Sequence, residues 1–180
     1  MVSLQTHPNL YLRLVCLTLQ VKQNPKNDEY FKFASEKASP VFSTDFLNSN
    51  HAKKYLSRIQ KVAREFTRLL IEAQKPIQGL IPLSRAIQYL RSAKSQVSSL
   101  HTCYAQLALK SRCLQHSLVI IEHPITSVMT GTNPLEIMTY NFYRGMIYTG
   151  LQRFEQAMEC FRKVLAQPTN LVHKVHEESY

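Results

Sequence analysis

Four side chains of types that bind zinc lie close together in the middle of the sequence: His101, Cys103, Cys113 and His116. A tetrahedral zinc site needs four such ligands converging on the metal at about 2.0–2.3 Å. His101 and Cys103, however, are two residues apart on a predicted helix, so their side chains point to different faces. We therefore interpret all four as ordinary helix residues and expect neither a metal nor a cofactor.

The other candidates for chemistry are isolated. His173 and His176 could share a helical face, but no third ligand lies near them in the sequence, which favours a solvated or partner-facing pair. Cys16 and Cys160 lie among apolar residues without a neighbouring base, which disfavours a nucleophilic role. The sequence contains no metalloprotease, serine hydrolase or phosphate-binding glycine motif. It therefore predicts no catalytic residue and a protein that is not an enzyme.

Positive charge is the strongest indication of a functional surface. The chain has 22 Lys and Arg against 12 Asp and Glu, a formal charge of +10, which attracts acidic surfaces. A candidate partner-binding face runs along one predicted helix and consists of Lys54, Arg58, Lys61 and Arg68. It is either a solvated face, an acidic-protein site or a phosphate-binding site. Nucleic acid is disfavoured because the aromatics of this stretch, Tyr55 and Phe66, fall on the apolar side.

The apolar residues recur at helical spacing, and no stretch alternates with a period of two. Residues 51–74 predict an amphipathic helix of more than six turns. Five further helices are predicted after it, with Pro82, Asn133 and Pro134 at helix starts and Gly150 allowing left-handed geometry at a helix end. The predicted fold class is therefore all-α, built as stacked antiparallel helix pairs of a tetratricopeptide-like α-solenoid.

The predicted organisation has two parts. Residues 1–50 are predicted to form short helices and loops, and residues 51–180 the helical-repeat region. Residues 10–21 are too short an apolar segment to span a bilayer, and the scattered cysteines indicate free thiols, so we expect an intracellular protein without a membrane contact. The sequence ends inside an apparently new helix, which indicates truncation.

One degenerate repeat is visible near the end of the sequence. Small residues at two positions would let two antiparallel helices approach closely, three aromatics would fill the groove between them, and a proline would stop the second helix. These repeat-defining residues are Gly145, Tyr148, Phe154, Ala157, Phe161 and Pro168. The pattern departs from the consensus at Asn141 and Arg144, where large apolar residues are usual. A weaker copy lies forty residues earlier, at Ala105, Leu114, Ser117 and Ile121.

Three segments carry a more specific resemblance: residues 75–87 (KPIQGLIPLSRAI), 99–113 (SLHTCYAQLALKSRC) and 140–161 with its core GMIYTGL. They are similar to the COP9 signalosome subunit 3 family. The resemblance implies a non-catalytic scaffold subunit, located in nucleus and cytoplasm, of the complex that removes NEDD8 from cullins and so regulates cullin–RING ubiquitin ligases. It implies other signalosome subunits as partners, together with cullin–RING ligase components. The resemblance also implies that family members continue into a PCI domain, and we expect residues 51–180 to be truncated before it.

Two alternatives remain open at this stage. The chain could be a related repeat subunit of the proteasome-lid type, although the GMIYTGL stretch favours the signalosome. It could also be an independent repeat adapter that binds an acidic protein or nucleic acid.

Overall fold

The computed structural model describes residue 32 and residues 39–42, 56–90, 96–125, 127–128 and 132–166. Most of the predicted amino-terminal part, the candidate Lys54 and the predicted helix-stopping Pro168 lie outside these residues. The chain divides into two compact units, Met1–Lys94 and Ser95–Tyr180. This boundary falls inside the region predicted as continuous repeats.

Among residues 56–90 of the first unit, two helices are joined by a 3₁₀ turn at Pro76–Gly79. Helix α1 spans Leu56–Glu72 and helix α2 spans Leu80–Leu90. The residues of α1 that repeat every three or four positions are buried, as the sequence predicts for an amphipathic helix. Phe66 of α1 packs on Phe42, which lies in a second 3₁₀ turn, with ring centroids 5.4 Å apart.

The second unit contains four helices in its described residues. They are α3 (Ser99–Lys110), α4 (Leu114–Ile121), α5 (Pro134–Gly150) and α6 (Phe154–Leu165). Helices α5 and α6 form the most closely packed pair, and α3 packs beside both α4 and α5. Because the first helices of successive pairs lie against each other, the arrangement is that of stacked helix pairs. The predicted all-α fold class is confirmed.

A small parallel strand pair was not predicted. Strand β1 (Gln96–Val97) precedes α3, and strand β2 (Ser127–Val128) follows α4; Gln96 pairs with Ser127 and Val97 with Val128. Two-residue strands are too short to show an alternating pattern, so the sequence carried no signal for them. They connect the segments that flank the α3–α4 pair.

Helix α5 begins with a capping box that the sequence predicted in part. Asn133 Oδ1 accepts a hydrogen bond from the Leu135 amide at 3.0 Å, and Glu136 Oε2 accepts one from the Asn133 amide at 3.3 Å. The same carboxylate oxygen accepts a 2.6 Å hydrogen bond from Ser99 Oγ at the start of α3. Glu136 therefore caps its own helix and ties it to its neighbour, a contact between helices that local spacing does not predict.

The sequence predicted left-handed geometry at Gly150, and this prediction is wrong. The left-handed residue after α5 is Gln152. Gln152 has φ 60°, and the amides of Gln152 and Arg153 bond to the carbonyls of Thr149 and Tyr148 at 3.0 and 2.8 Å. This pattern is a Schellman motif. Gly150 is the last residue of α5, and the left-handed residue follows two positions after it.

Within the described part of the chain, no helix combines the length and the apolar character needed to cross a bilayer.

Candidate partner-binding surface

The basic face of α1 is exposed to solvent where the structure describes it. Arg58, Lys61 and Arg68 are exposed, and Arg64, which the sequence reading left out, is exposed beside them. Spacings of three and four residues place these side chains on neighbouring rows of one helix. The face is therefore a continuous positively charged strip along α1.

Two acidic residues accompany this strip. Glu65 is mostly buried, and its Oε1 lies 3.7 Å from Arg68 Nη1; Glu72 at the end of the helix is half-buried. An ion pair of this length on a largely exposed arginine contributes little to stability. The four basic residues of the strip outnumber the two acidic residues of α1, and an acidic surface could complement this local excess of positive charge.

The aromatic side chain on α1 faces the opposite way. Phe66 is buried against Phe42 and does not lie among the basic residues. Stacking of bases on exposed aromatics is a common source of affinity for single-stranded nucleic acid. The described part of this face offers positive charge without that stacking surface.

The close approach of α5 and α6 occurs at Gly145. A Cβ placed on Gly145 would lie 2.5 Å from Cε1 of Phe161, so the ring occupies the space that any larger residue would need. Ala157 and Tyr148 are buried, and Phe161 is half-buried, with its ring centroid 6.1 Å from that of Phe142. These contacts fix the two helices relative to each other.

Phe154 does not fill the groove between α5 and α6, and that expectation is wrong. It is the first residue of α6, and 61% of its surface is exposed. The buried apolar positions of this helix are Ala157, Cys160 and Val164, three and four residues apart. Although Phe154 is three residues before Ala157, it lies at the start of α6, and most of its side chain faces solvent instead of the groove.

The two departures from the repeat consensus are polar residues in the interior. Asn141 donates from Nδ2 to the carbonyl of Ile137 at 3.0 Å. Arg144 is buried and donates from Nη2 to Tyr148 Oη at 3.3 Å, and the guanidinium lies 5.5 Å from the Tyr148 ring centroid. Burial raises the pKa of Tyr140, which lies near this arginine. This cluster packs α5 with polar contacts where the consensus uses apolar ones.

The residues considered as zinc ligands have separate environments. His101 is buried, and its Nδ1 accepts a 3.1 Å hydrogen bond from the Ser98 amide. Cys113 precedes α4, with Sγ 3.7 Å from the Ser111 carbonyl, and His116 is exposed. Among the residues that the structure describes, no group of three or more His, Cys, Asp or Glu is arranged to hold a metal ion.

Comparison with known proteins gives concordant matches. The family described as "COP9 signalosome complex subunit 3, N-terminal helical repeats" matches residues 1–180. A protein of Dictyostelium discoideum named COP9 signalosome complex subunit 3 is 26% identical over 129 residues, covering 69% of this chain and 31% of the relative. The Arabidopsis thaliana protein of the same name is 30% identical over 105 residues, covering 58% of this chain and 24% of the relative.

The chain thus spans less than a third of the length of these relatives. The family match covers every described helix, including the α5–α6 pair that meets at Gly145 and the α1 helix that carries the basic strip. By these matches the chain belongs to the family of the amino-terminal helical repeats of COP9 signalosome complex subunit 3.

Proposed function

We propose that this chain is the helical-repeat part of a non-catalytic scaffold subunit of the COP9 signalosome, supporting the removal of NEDD8 from cullins and so the regulation of cullin–RING ubiquitin ligases. The observation that carries the proposal is the family match over residues 1–180. The stacked helix pairs support it, because such stacks present extended surfaces that suit the binding of neighbouring proteins.

The proposed partners are other signalosome subunits and, through the assembled complex, cullin–RING ligase components. The basic strip of Arg58, Lys61, Arg64 and Arg68 is proposed to meet an acidic surface of a partner. The proposed location is the nucleus and the cytoplasm. The proposed structural role is consistent with the polar contacts inside α5, where Asn141 donates to the Ile137 carbonyl and Arg144 donates to the Tyr148 hydroxyl.

Affinity purification of the tagged chain from cells of its own source tests the assignment. We expect the other signalosome subunits to co-purify in constant proportion. Recovery of proteasome-lid subunits instead would favour the related-subunit alternative, and recovery of neither would favour an independent adapter.

A second measurement tests the non-catalytic role. The purified chain alone, mixed with NEDD8-modified cullin, is expected to release no NEDD8. A signalosome assembled with the chain is expected to release NEDD8 faster than one assembled without it. Release of NEDD8 by the isolated chain would contradict the scaffold proposal.

For the basic strip, the substitution Lys61→Glu should weaken binding to the other subunits, and the loss should shrink as salt is added because exposed charges are screened. The exposed Lys110→Glu on α3 changes the net charge by the same amount and serves as its control. Equal effects of the two substitutions would show that the strip has no specific role.

A further inference from the structure

The exposed face of the segment Pro76–Leu90 is unusual for a solvated helix. Its exposed residues include Ile77, Ile81 and Tyr89, with 59%, 63% and 40% of their surfaces accessible. Arg85, which is also exposed, completes a series spaced four residues apart. We call Ile81, Arg85 and Tyr89 of α2, together with Ile77 in the 3₁₀ turn just before it, the α2 ridge.

Residues four apart form one of the two kinds of ridge by which helices pack against each other. On α2 the opposite side already packs inward, with Leu83, Ala86 and Ile87 buried. The α2 ridge is therefore a second packing surface, which solvent covers in this structure. With more than half of their surfaces exposed, Ile77 and Ile81 contribute little to the buried core.

The composition of the α2 ridge is that of an interface. Tyr and Arg are enriched among the residues that dominate binding energies, since each combines a large contact area with polar groups that can be paired. Arg85 makes no ion pair with any residue that the structure describes in this chain. Its guanidinium could therefore pair with a carboxylate of a partner in bidentate geometry.

The charge of this unit narrows the choice of partner. In its described residues every exposed charged side chain is basic, whereas both acidic residues, Glu65 and Glu72, are buried or half-buried. The positive charge of the first unit would not favour the binding of a basic or neutral partner. A second copy of the chain would carry the same positive charge and would be repelled. An acidic partner is attracted to it.

We propose that the α2 ridge is the docking site for an amphipathic helix of a neighbouring signalosome subunit. Apolar residues of that helix pack on Ile77 and Ile81, and one of its Asp or Glu residues pairs with Arg85. Tyr89 covers the far end of the contact. The inference rests on the proposed signalosome function and names a surface and a partner chemistry within it.

The test measures binding of the purified full chain to a purified signalosome assembled without its own subunit 3. Ile81→Ser and Arg85→Glu are each expected to raise the Kd by about tenfold or more, as expected for central interface residues. Val119→Ser removes a comparably exposed aliphatic residue from α4, and Lys110→Glu reverses an exposed charge on α3. Both controls are expected to change the Kd by less than about twofold.

Each result of this experiment has a distinct meaning. Equal Kd values for the ridge variants and the controls would overturn the α2 ridge and leave the proposed function intact. Failure of the unaltered chain to bind would contradict the proposed function and the inference together. Circular dichroism checks that each variant is folded. If Ile81→Ser is not folded, Ile77→Ser at the other exposed aliphatic position gives an independent measurement.

Photo-cross-linking identifies what occupies the α2 ridge. A photoreactive residue at position 81 is expected to cross-link to a helix of another subunit that carries a carboxylate within two turns of the linked residue. Cross-links to a second copy of this chain, or to a segment without acidic residues, would overturn the proposal.

Discussion

Gly145 and Gly150 lie on the same helix, but the space that a larger side chain would find differs between the two positions. A Cβ on Gly145 would lie 2.5, 2.8 and 2.9 Å from three atoms of the Phe161 ring. A Cβ on Gly150 would lie 2.5 Å from one terminal methyl carbon of Leu114, with the next atom 4.0 Å away. A leucine methyl can rotate aside, whereas a ring that packs on Phe142 must shift as a whole.

We therefore expect Gly145→Ala to lower the free energy of unfolding by roughly 1–3 kcal/mol, the usual cost of overpacking. Gly150→Ala should change it by less than about 0.5 kcal/mol, because the small clash is offset by the better helix propensity of alanine. Urea unfolding followed by circular dichroism measures both. Adding Phe161→Leu should recover part of the loss in Gly145→Ala, and equal losses at the two glycines would contradict this account.

Arg144 is the residue at which the interior departs most from an apolar repeat. Its Nη2 bonds to Tyr148 Oη at 3.3 Å and lies 3.5 Å from the His123 carbonyl, while its Nε has no hydrogen-bond partner among the described residues. A buried charge without a carboxylate partner costs desolvation energy that these contacts offset only in part.

Replacing Arg144 with leucine, the usual residue of the consensus, should therefore leave the free energy of unfolding unchanged or raise it. Arg144→Ala should lower it by roughly 2–4 kcal/mol, because it removes the packing of the long side chain and leaves a cavity. Denaturant midpoints of the two variants decide the matter. A large loss in Arg144→Leu would show that the polar contacts of the arginine outweigh its desolvation.

Because of Tyr140, we expect the stability of the second unit to depend on pH in the alkaline range. Burial raises the pKa of Tyr140 above its ordinary value of 10.0, although the positive charge of Arg144 lowers it somewhat. The unfolded chain loses this proton near pH 10, whereas the folded chain retains it. The contribution of protonated Tyr140 to the free energy of unfolding is therefore complete below pH 10. It is lost as the pH rises above 10, at about 1.4 kcal/mol per pH unit.

Tyr140→Phe removes this proton and should flatten the alkaline decline. Between pH 9 and pH 11 we expect the unaltered chain to lose about 1 kcal/mol more stability than the variant does. Urea unfolding at both pH values, with a reductant present to protect the cysteines, measures the difference. Parallel pH profiles would show that Tyr140 does not titrate differently in the folded and unfolded chains.

At the level of elements, three helices of the chain end in the same way. Gln74, Arg112 and Gln152, which follow α1, α3 and α5, have φ values of 56°, 57° and 60°. After each of them the next amide bonds to the carbonyl five residues back, at 2.9, 3.1 and 2.8 Å. The left-handed residues are separated by 38 and 40 positions. The forty-residue step that the sequence suggested between the last two helix pairs therefore recurs in the helix ends.

The sequence predicted the helices themselves because their apolar spacing is regular. It missed these helix ends because none of the three left-handed residues is a glycine. Glutamine and arginine do not indicate a left-handed backbone in a sequence. The left-handed helix end was therefore predicted at the nearby Gly150. The exposure of Phe154 was missed for a related reason, since a consensus position does not state which face of the actual helix is covered.

The left-handed conformation costs a non-glycine residue roughly 1–2 kcal/mol. Gln152→Gly should therefore raise the free energy of unfolding by roughly 0.5–1 kcal/mol, after allowing for the greater freedom of glycine in the unfolded chain. Gln156→Gly, in the right-handed interior of α6, should instead lower it by roughly 1 kcal/mol. Thermal or urea midpoints that move in the same direction for both variants would contradict the assigned helix end.

On the scale of the whole molecule, the forty-residue step predicts which surfaces correspond. Leu114 and Leu118 of α4 correspond to Phe154 and Met158 of α6. Leu114 lies against Gly150 of α5, and Leu118 is buried. Phe154 and Met158 instead have more than half of their surface exposed. The same repeat position is thus interior in one helix pair and surface in the next.

This difference separates two substitutions that the sequence alone would treat as equivalent. Leu118→Ala should lower the free energy of unfolding by roughly 2–4 kcal/mol, whereas Met158→Ala should change it by less than about 0.5 kcal/mol. An exposed apolar stripe also binds hydrophobic dyes, so Phe154→Ser combined with Met158→Ser should reduce the fluorescence of anilinonaphthalene sulfonate without lowering the urea midpoint. If Met158→Ala were as damaging as Leu118→Ala, the face of α6 that carries Phe154 and Met158 would have to be covered in solution, because only buried side chains lose packing energy on truncation.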